Sequence, residues 1–153
     1  MESNEQYFLF EHRHGILFEE TCLDRNNVSK ILDRARSVPA HEGFYFYRDI
    51  DDPTGEVAMS LDDFLEKLQV TDIRSIEFHF HRQDFEKWIK EVLCDDKLYQ
   101  RISGLDKTIK GEELRLQIME IVKRSLEDLE RSDVNVMRSS NDDTTGAQFV
   151  SRL

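Results

Sequence analysis

The sequence predicts an α+β fold with a small antiparallel or mixed sheet, in which a ferredoxin-like βαββαβ order is one arrangement, and a C-terminal helical extension. Aromatic and alternating runs at residues 44–47 and 76–81 are typical of strands. Apolar residues at helical spacing follow from about residue 84 to residue 129. A chain of 153 residues can form one domain with its own core. We therefore predict a single domain over residues 1–131, and a disordered tail over residues 132–153, where apolar residues are few.

The elements of the first half follow from local signals. Apolar runs at 7–10 and 16–18 predict a strand or hairpin before residue 20, and a helix from Asn27 is stopped by Pro39. The aromatic run 44–47, a turn at 51–55 and a short strand at 56–59 predict a β-hairpin. Ser60 and Asp63 have the spacing of a capping box, which predicts a helix that begins at once.

The second half is predicted to be one strand and several helices. Ile76, Phe78 and Phe80 alternate with polar residues, and this period of two predicts a half-buried strand. Asp84 is the expected cap of the next helix, in which Trp88 lies on the apolar face. A long final helix is predicted to begin near Gly111.

Several segments of this half resemble an uncharacterised family of small archaeal and bacterial proteins. The resemblance rests on the serine-leucine helix start at 60–68, the strand ending in phenylalanine-histidine at 75–79, the aspartate-phenylalanine helix with tryptophan at 84–89, and residues 92–98. It covers roughly residues 43–129. It implies a prokaryotic cytosolic origin and names no activity.

Composition excludes some classes of partner. The formal net charge of −11 repels a polyanion, so nucleic acid is not expected. No run approaches the roughly 20 apolar residues of a membrane span, and the first residues are acidic and polar. We expect a cytoplasmic protein without a membrane partner, in which Cys22 and Cys94 are free thiols.

Two His-x-His patterns form the only local motif with potential chemistry. His12 and His14 form one pair, and His79 and His81 form the other. Residues i and i+2 of a strand share a face, so each pair could offer two nitrogens to zinc or iron. Glu77 could serve as a further ligand or as a general base, which would make the protein a metal-binding protein or a small metal-dependent hydrolase.

The alternative is that His79, His81 and Glu77 form the solvent-facing side of the predicted strand. The glycines are scattered singly, so no phosphate-binding loop is present, and no nucleophile motif occurs. Tyr45 and Tyr47 could contact the helical extension or a partner. We therefore predict a non-catalytic binding or regulatory domain without a cofactor, acting through a protein partner or self-association; the sequence leaves a small-molecule ligand open.

Overall fold

The computed structural model describes residue 33 and residues 35–151; for residues 136 and 139–151 it describes the backbone alone. This part of the chain contains one antiparallel pair of strands and five α-helices, which confirms the α+β class. The predicted strands at 7–18 and the start of the predicted helix at 27–38 lie outside the described residues.

The β-hairpin is formed by β1 (Phe44–Asp49) and β2 (Asp52–Ala58), which follow a 3-10 turn at Ala40–Glu42. Phe44 pairs with Ala58, and Tyr45 pairs with Val57. Phe44 and Phe46 are buried whereas Tyr45 is exposed, as the alternation of a strand requires. The predicted hairpin is therefore confirmed.

Helix α1 (Leu61–Val70) begins at the predicted capping box. The Ser60 hydroxyl accepts a hydrogen bond from the Asp63 amide, and the Asp63 carboxylate accepts one from the Met59 amide. The helix ends beneath Arg115, whose guanidinium donates to the carbonyls of Leu68 and Thr71. These bonds satisfy carbonyls that a helix end leaves without an intrahelical partner.

The predicted strand at residues 76–81 is wrong, because this segment is helix α2 (Ile73–Arg82). Ile76, His79 and Phe80 are buried together, which is the i, i+3, i+4 pattern of one helix face. Phe78 is only half-buried and His81 is exposed. The alternation predicted a strand because His79, one of two polar residues on the buried face, was assigned to solvent. With two strands in the described sheet, the ferredoxin-like order is also wrong for this part of the chain.

Helix α3 (Asp84–Trp88) continues through a π-helical turn at Ile89–Leu93, and α4 (Asp96–Ser103) follows. Cys94 ends the π turn with a left-handed φ of 59°. The expectation of two free thiols is wrong for Cys94, whose sulfur is disulfide-bonded. Cys22, the only other cysteine in the sequence, lies outside the described residues.

The last helix, α5 (Gly111–Ser151), begins where predicted but runs far beyond Leu129. Leu114, Ile118 and Val122 place its first turns in the core. The backbone of residues 132–151 continues the helix, in the segment whose composition predicts a disordered tail. Asp133 still contacts the body through Arg36. The boundary between domain and tail stays a prediction.

The core lies between the inner face of the hairpin and the helices. Trp88 is fully buried, as its position on the predicted apolar face requires, and its ring lies against Phe44 and Phe64. Its indole N–H donates to the Glu42 carbonyl at 2.8 Å. None of the helices in the described part of the chain is both long and apolar enough to span a membrane.

Candidate functional site

His79, one residue of the His-x-His pattern, is the centre of a buried polar group. Its Nδ1 lies 2.9 Å from Asp84 Oδ2, and its Nε2 accepts the backbone N–H of Tyr47 at 2.8 Å. The side chains of His79 and Asp84 are 1% and 6% exposed. The imidazole therefore connects β1 to helices α2 and α3.

These two contacts define the tautomer of His79. Because Nε2 accepts a hydrogen bond, the proton of the neutral ring lies on Nδ1, which donates to the Asp84 carboxylate. The Arg82 guanidinium lies 3.4 Å from the same Asp84 oxygen. A protonated ring would place two N–H groups in opposition at Tyr47, so the neutral form fits the site.

The surroundings of this pair are aromatic and dry. The His79 ring lies 4.8 Å from Phe44, 5.1 Å from Phe78 and 5.8 Å from Phe85, measured between ring centroids. Burial, with a smaller effect of the Arg82 charge, lowers the pKa of His79 to about 3. Burial also raises the pKa of Asp84 to about 7. Both shifts favour the neutral form of the group concerned.

The histidine–carboxylate contact has the geometry that orients a catalytic imidazole in other proteins. A general base needs a ring nitrogen within reach of substrate, however, and Nε2 of His79 is occupied by the Tyr47 amide. The ring is also sealed from solvent. The arrangement joins three elements of the fold and offers no nitrogen to a substrate.

His81 and Glu77, the other described residues of the predicted metal site, point elsewhere. His81 lies two residues from His79 on a helix, so the two side chains project about 200° apart. The His81 ring is exposed and contacts the Glu77 carbonyl at 2.7 Å. Glu77 Oε1 accepts the Gly111 amide at 2.8 Å, which caps the first turn of α5. The His-x-His pair thus does not converge.

His12 and His14 lie outside the described residues, so the structure does not place them beside His79. Within the described residues, no group of three or more His, Cys, Asp or Glu side chains is arranged to hold a metal ion. Metal binding therefore stays a prediction of the sequence pattern.

Asp84 is the functional partner that sequence reasoning missed. It was predicted to cap a helix, but the cap residue is Gln83, which has a left-handed φ of 62°. Asp84 instead turns inward to His79, five residues earlier. A histidine and an aspartate on either side of a helix break are the signal that could have indicated this contact.

The hairpin and the residue that follows it carry three exposed apolar side chains. Tyr45 and Met59 are 44% and 40% exposed, and Ile50 at the turn is 38% exposed. The Tyr45 hydroxyl donates to the Ala40 carbonyl at 2.8 Å, so the ring is held in place. The sequence allowed Tyr45 to contact the helical extension. Tyr45 does not make this contact, because its ring remains exposed.

Comparison with known proteins identifies a family without an activity. A model of a family of unknown function (DUF5752) matches residues 25–123. No curated protein and no solved structure is significantly similar to the chain. The match includes the hairpin, His79 and about the first third of the helix that begins at Gly111.

Proposed function

The chain belongs to the DUF5752 family, and we propose that it is a non-catalytic binding domain that contacts a protein partner through the outer face of its β-hairpin. The observation that carries the proposal is the difference between the two faces of β1. Phe44 and Phe46 are 2% and 1% exposed on the inner face, whereas Tyr45 is 44% exposed on the outer face. Tyrosine and methionine are enriched at protein interfaces, where one side of the ring or chain meets a partner.

The rigidity of this face favours binding. The hydrogen bond from Tyr45 to Ala40 holds the ring before a partner arrives, which lowers the entropy lost on association. Beneath it, Phe44 lies 4.9 Å from Phe46 and 5.6 Å from Phe64, measured between ring centroids. The surface is therefore supported by closely packed aromatic rings.

Charge favours a basic partner. The chain carries a net charge of −11, so a second copy would be repelled whereas a positively charged surface would be attracted. Asp49 and Asp51 lie exposed at the hairpin turn. The proposal places this binding in the cytoplasm and includes neither nucleic acid nor membrane as a partner.

The test is site-specific photo-crosslinking in cells with a photoreactive residue at position 59. The matched control carries the same residue at position 100, because Gln100 is exposed on α4, outside the hairpin. We expect one crosslinked partner from position 59 and not from position 100. Equal products from both positions, or crosslinks only between copies of this chain, would contradict the proposal.

Binding of the identified partner is then measured by calorimetry. Met59→Asp should weaken it at least tenfold, whereas Val70→Asp should not, because Val70 is exposed on α1 outside the hairpin and the charge change is the same. The affinity should also fall as salt is raised. An affinity reduced equally by both substitutions would place the interface elsewhere.

A further inference from the structure

The loop between α4 and α5, residues 104–110, carries a lysine whose ammonium group points into the protein. Lys107 Nζ lies 2.8 Å from Glu86 Oε1 and 4.3 Å from the centre of the Phe80 ring. A surface lysine usually covers apolar surface with its stem and keeps its ammonium group in water. Here the lysine side chain is 42% exposed, yet its ammonium group contacts a carboxylate side chain that is 6% exposed and a ring that is fully buried.

Glu86 depends on this contact for its counter-charge. The residue lies on α3, and its second oxygen, Oε2, is buried and has no hydrogen-bond partner among the described residues. A buried carboxylate is costly unless an opposite charge and hydrogen bonds compensate it. Lys107 supplies both at Oε1. Without the ammonium charge, the closed loop would leave Glu86 ionised, dry and unpaired.

The loop can move as a unit because its internal hydrogen bonds are local. The Asp106 carboxylate accepts bonds from the amide and the hydroxyl of Thr108, and the Asp106 carbonyl accepts the Ile109 amide. The two ends of the loop are fixed by the Gly104 amide, which donates to α4, and the Gly111 amide, which donates to α2. Between these ends, the salt bridge to α3 holds the turn against the body.

We propose that Lys107 is an acylation site at which the loss of charge opens loop 104–110. The ammonium group first loses a proton to water, and the neutral amine attacks the carbonyl carbon of an acyl thioester. An amide bond forms, the carbon–sulfur bond breaks, and the departing sulfur takes a second proton from the nitrogen. Acylation removes the positive charge and with it the salt bridge and the cation–π contact.

The expected consequence is an open loop. An acetylated Lys107 cannot compensate Glu86, and its added carbonyl and methyl groups enlarge the end of the side chain that faces Phe80. Leu105 and Ile109, which pack partly against the core, become exposed as the loop moves. The site lies outside the hairpin, so this inference goes beyond the proposed partner surface.

Reaction of the full chain with an acetyl thioester tests the salt bridge in the folded protein. Lys110 is the internal control, because it is an exposed lysine on the same loop. Peptide mass spectrometry should show acetylation at Lys107 about tenfold slower than at Lys110, because the Lys107 amine reacts only from the open loop. Glu86→Gln should raise the rate at Lys107 about fivefold and leave Lys110 within about twofold. Equal rates at the two lysines in the unmodified chain would overturn the proposal.

Amide hydrogen exchange on chains that carry acetyl-lysine at one position tests the opening itself. Acetyl-lysine at position 107 should speed exchange at residues 105–109 about tenfold, whereas acetyl-lysine at position 110 should leave those rates within about twofold. Lys107→Arg keeps the charge and should stay close to the unmodified chain. Equal exchange in the two acetylated chains, or an equal rise in Lys107→Arg, would overturn the proposal. The reactivity of the unmodified chain decides the matter if the chain acetylated at position 107 does not fold.

Discussion

His79 donates its Nδ1–H to the Asp84 carboxylate across 2.9 Å, inside an aromatic shell that excludes solvent. The same ring accepts the Tyr47 amide, so a single side chain satisfies a strand N–H and a buried carboxylate. Removing the ring would leave both groups without this partner in a dry environment. We therefore expect the His79–Asp84 pair to contribute to the free energy of unfolding, and not to metal binding.

We expect His79→Gln to lower the free energy of unfolding by about 1–3 kcal/mol, the cost of leaving buried polar groups without partners. His81→Gln is the matched control, because His81 is exposed two residues away and its loss should cost less than about 0.5 kcal/mol. Urea unfolding of both variants measures the difference. Equal costs would contradict the structural role of His79.

The two groups should give opposite pH dependences. The pKa of His79 is about 6.5 in the unfolded chain and about 3 in the folded chain, so between these pH values only the unfolded chain binds the proton. His79 therefore makes the free energy of unfolding fall as the pH falls from 6.5 towards 3. Asp84 keeps a proton in the folded chain up to about pH 7 but loses it near 3.8 when unfolded. Its contribution therefore falls as the pH rises from 3.8 through 7.

We expect these slopes to offset each other in the unmodified protein between about pH 4 and 6.5. Asp84→Asn removes the second slope, so its stability should decline more steeply on acidification than that of the unmodified protein. Unfolding free energies measured from pH 4 to pH 8 test this. Parallel profiles would mean that the hydrogen bond from His79 and the nearby Arg82 keep the pKa of Asp84 close to its ordinary value.

Local signals predicted the hairpin, the capping box at Ser60 and the start of α5 near Gly111, because each depends on residues close together in sequence. The prediction of a strand at 76–81 was wrong. A short apolar run fits both the two-residue period of a strand and the 3.6-residue period of a helix when one residue of its buried face is polar. The partner of that residue, the Tyr47 amide, lies 32 residues away and leaves no local trace. The sequence therefore indicated His79 as a residue of interest, but not its burial or its hydrogen-bond partners.

Trp88→Ala should cost about 3–5 kcal/mol, because the indole is fully buried between aromatic rings. Trp88→Phe keeps most of the apolar volume but loses the hydrogen bond to the Glu42 carbonyl, so its cost should be smaller. Unfolding monitored by circular dichroism compares the two, since neither variant retains a tryptophan. An unfolding free energy unchanged by Trp88→Ala would contradict the position of the core.

Glu77→Ala should cost about 0.5–2 kcal/mol, the usual range for losing a helix cap, because Glu77 Oε1 accepts the Gly111 amide. Glu77→Gln keeps an oxygen that can accept the same bond, and it should recover most of the loss. Thermal melts of the two variants separate a capping role from a role that needs the charge. A loss as large in Glu77→Gln as in Glu77→Ala would favour the charge.

Metal analysis of the full chain tests whether the two His-x-His pairs bind a metal ion. We expect less than stoichiometric zinc or iron, and a melting temperature that a chelator does not change, because both ring nitrogens of His79 already have protein partners and His81 projects from another side of the helix. The measurement uses protein purified without a histidine tag and includes His12 and His14. Near-stoichiometric metal that disappears in His81→Gln would show that the described helix rearranges around an ion. Metal retained in that variant but lost in His12→Gln would place a site in the N-terminal segment instead.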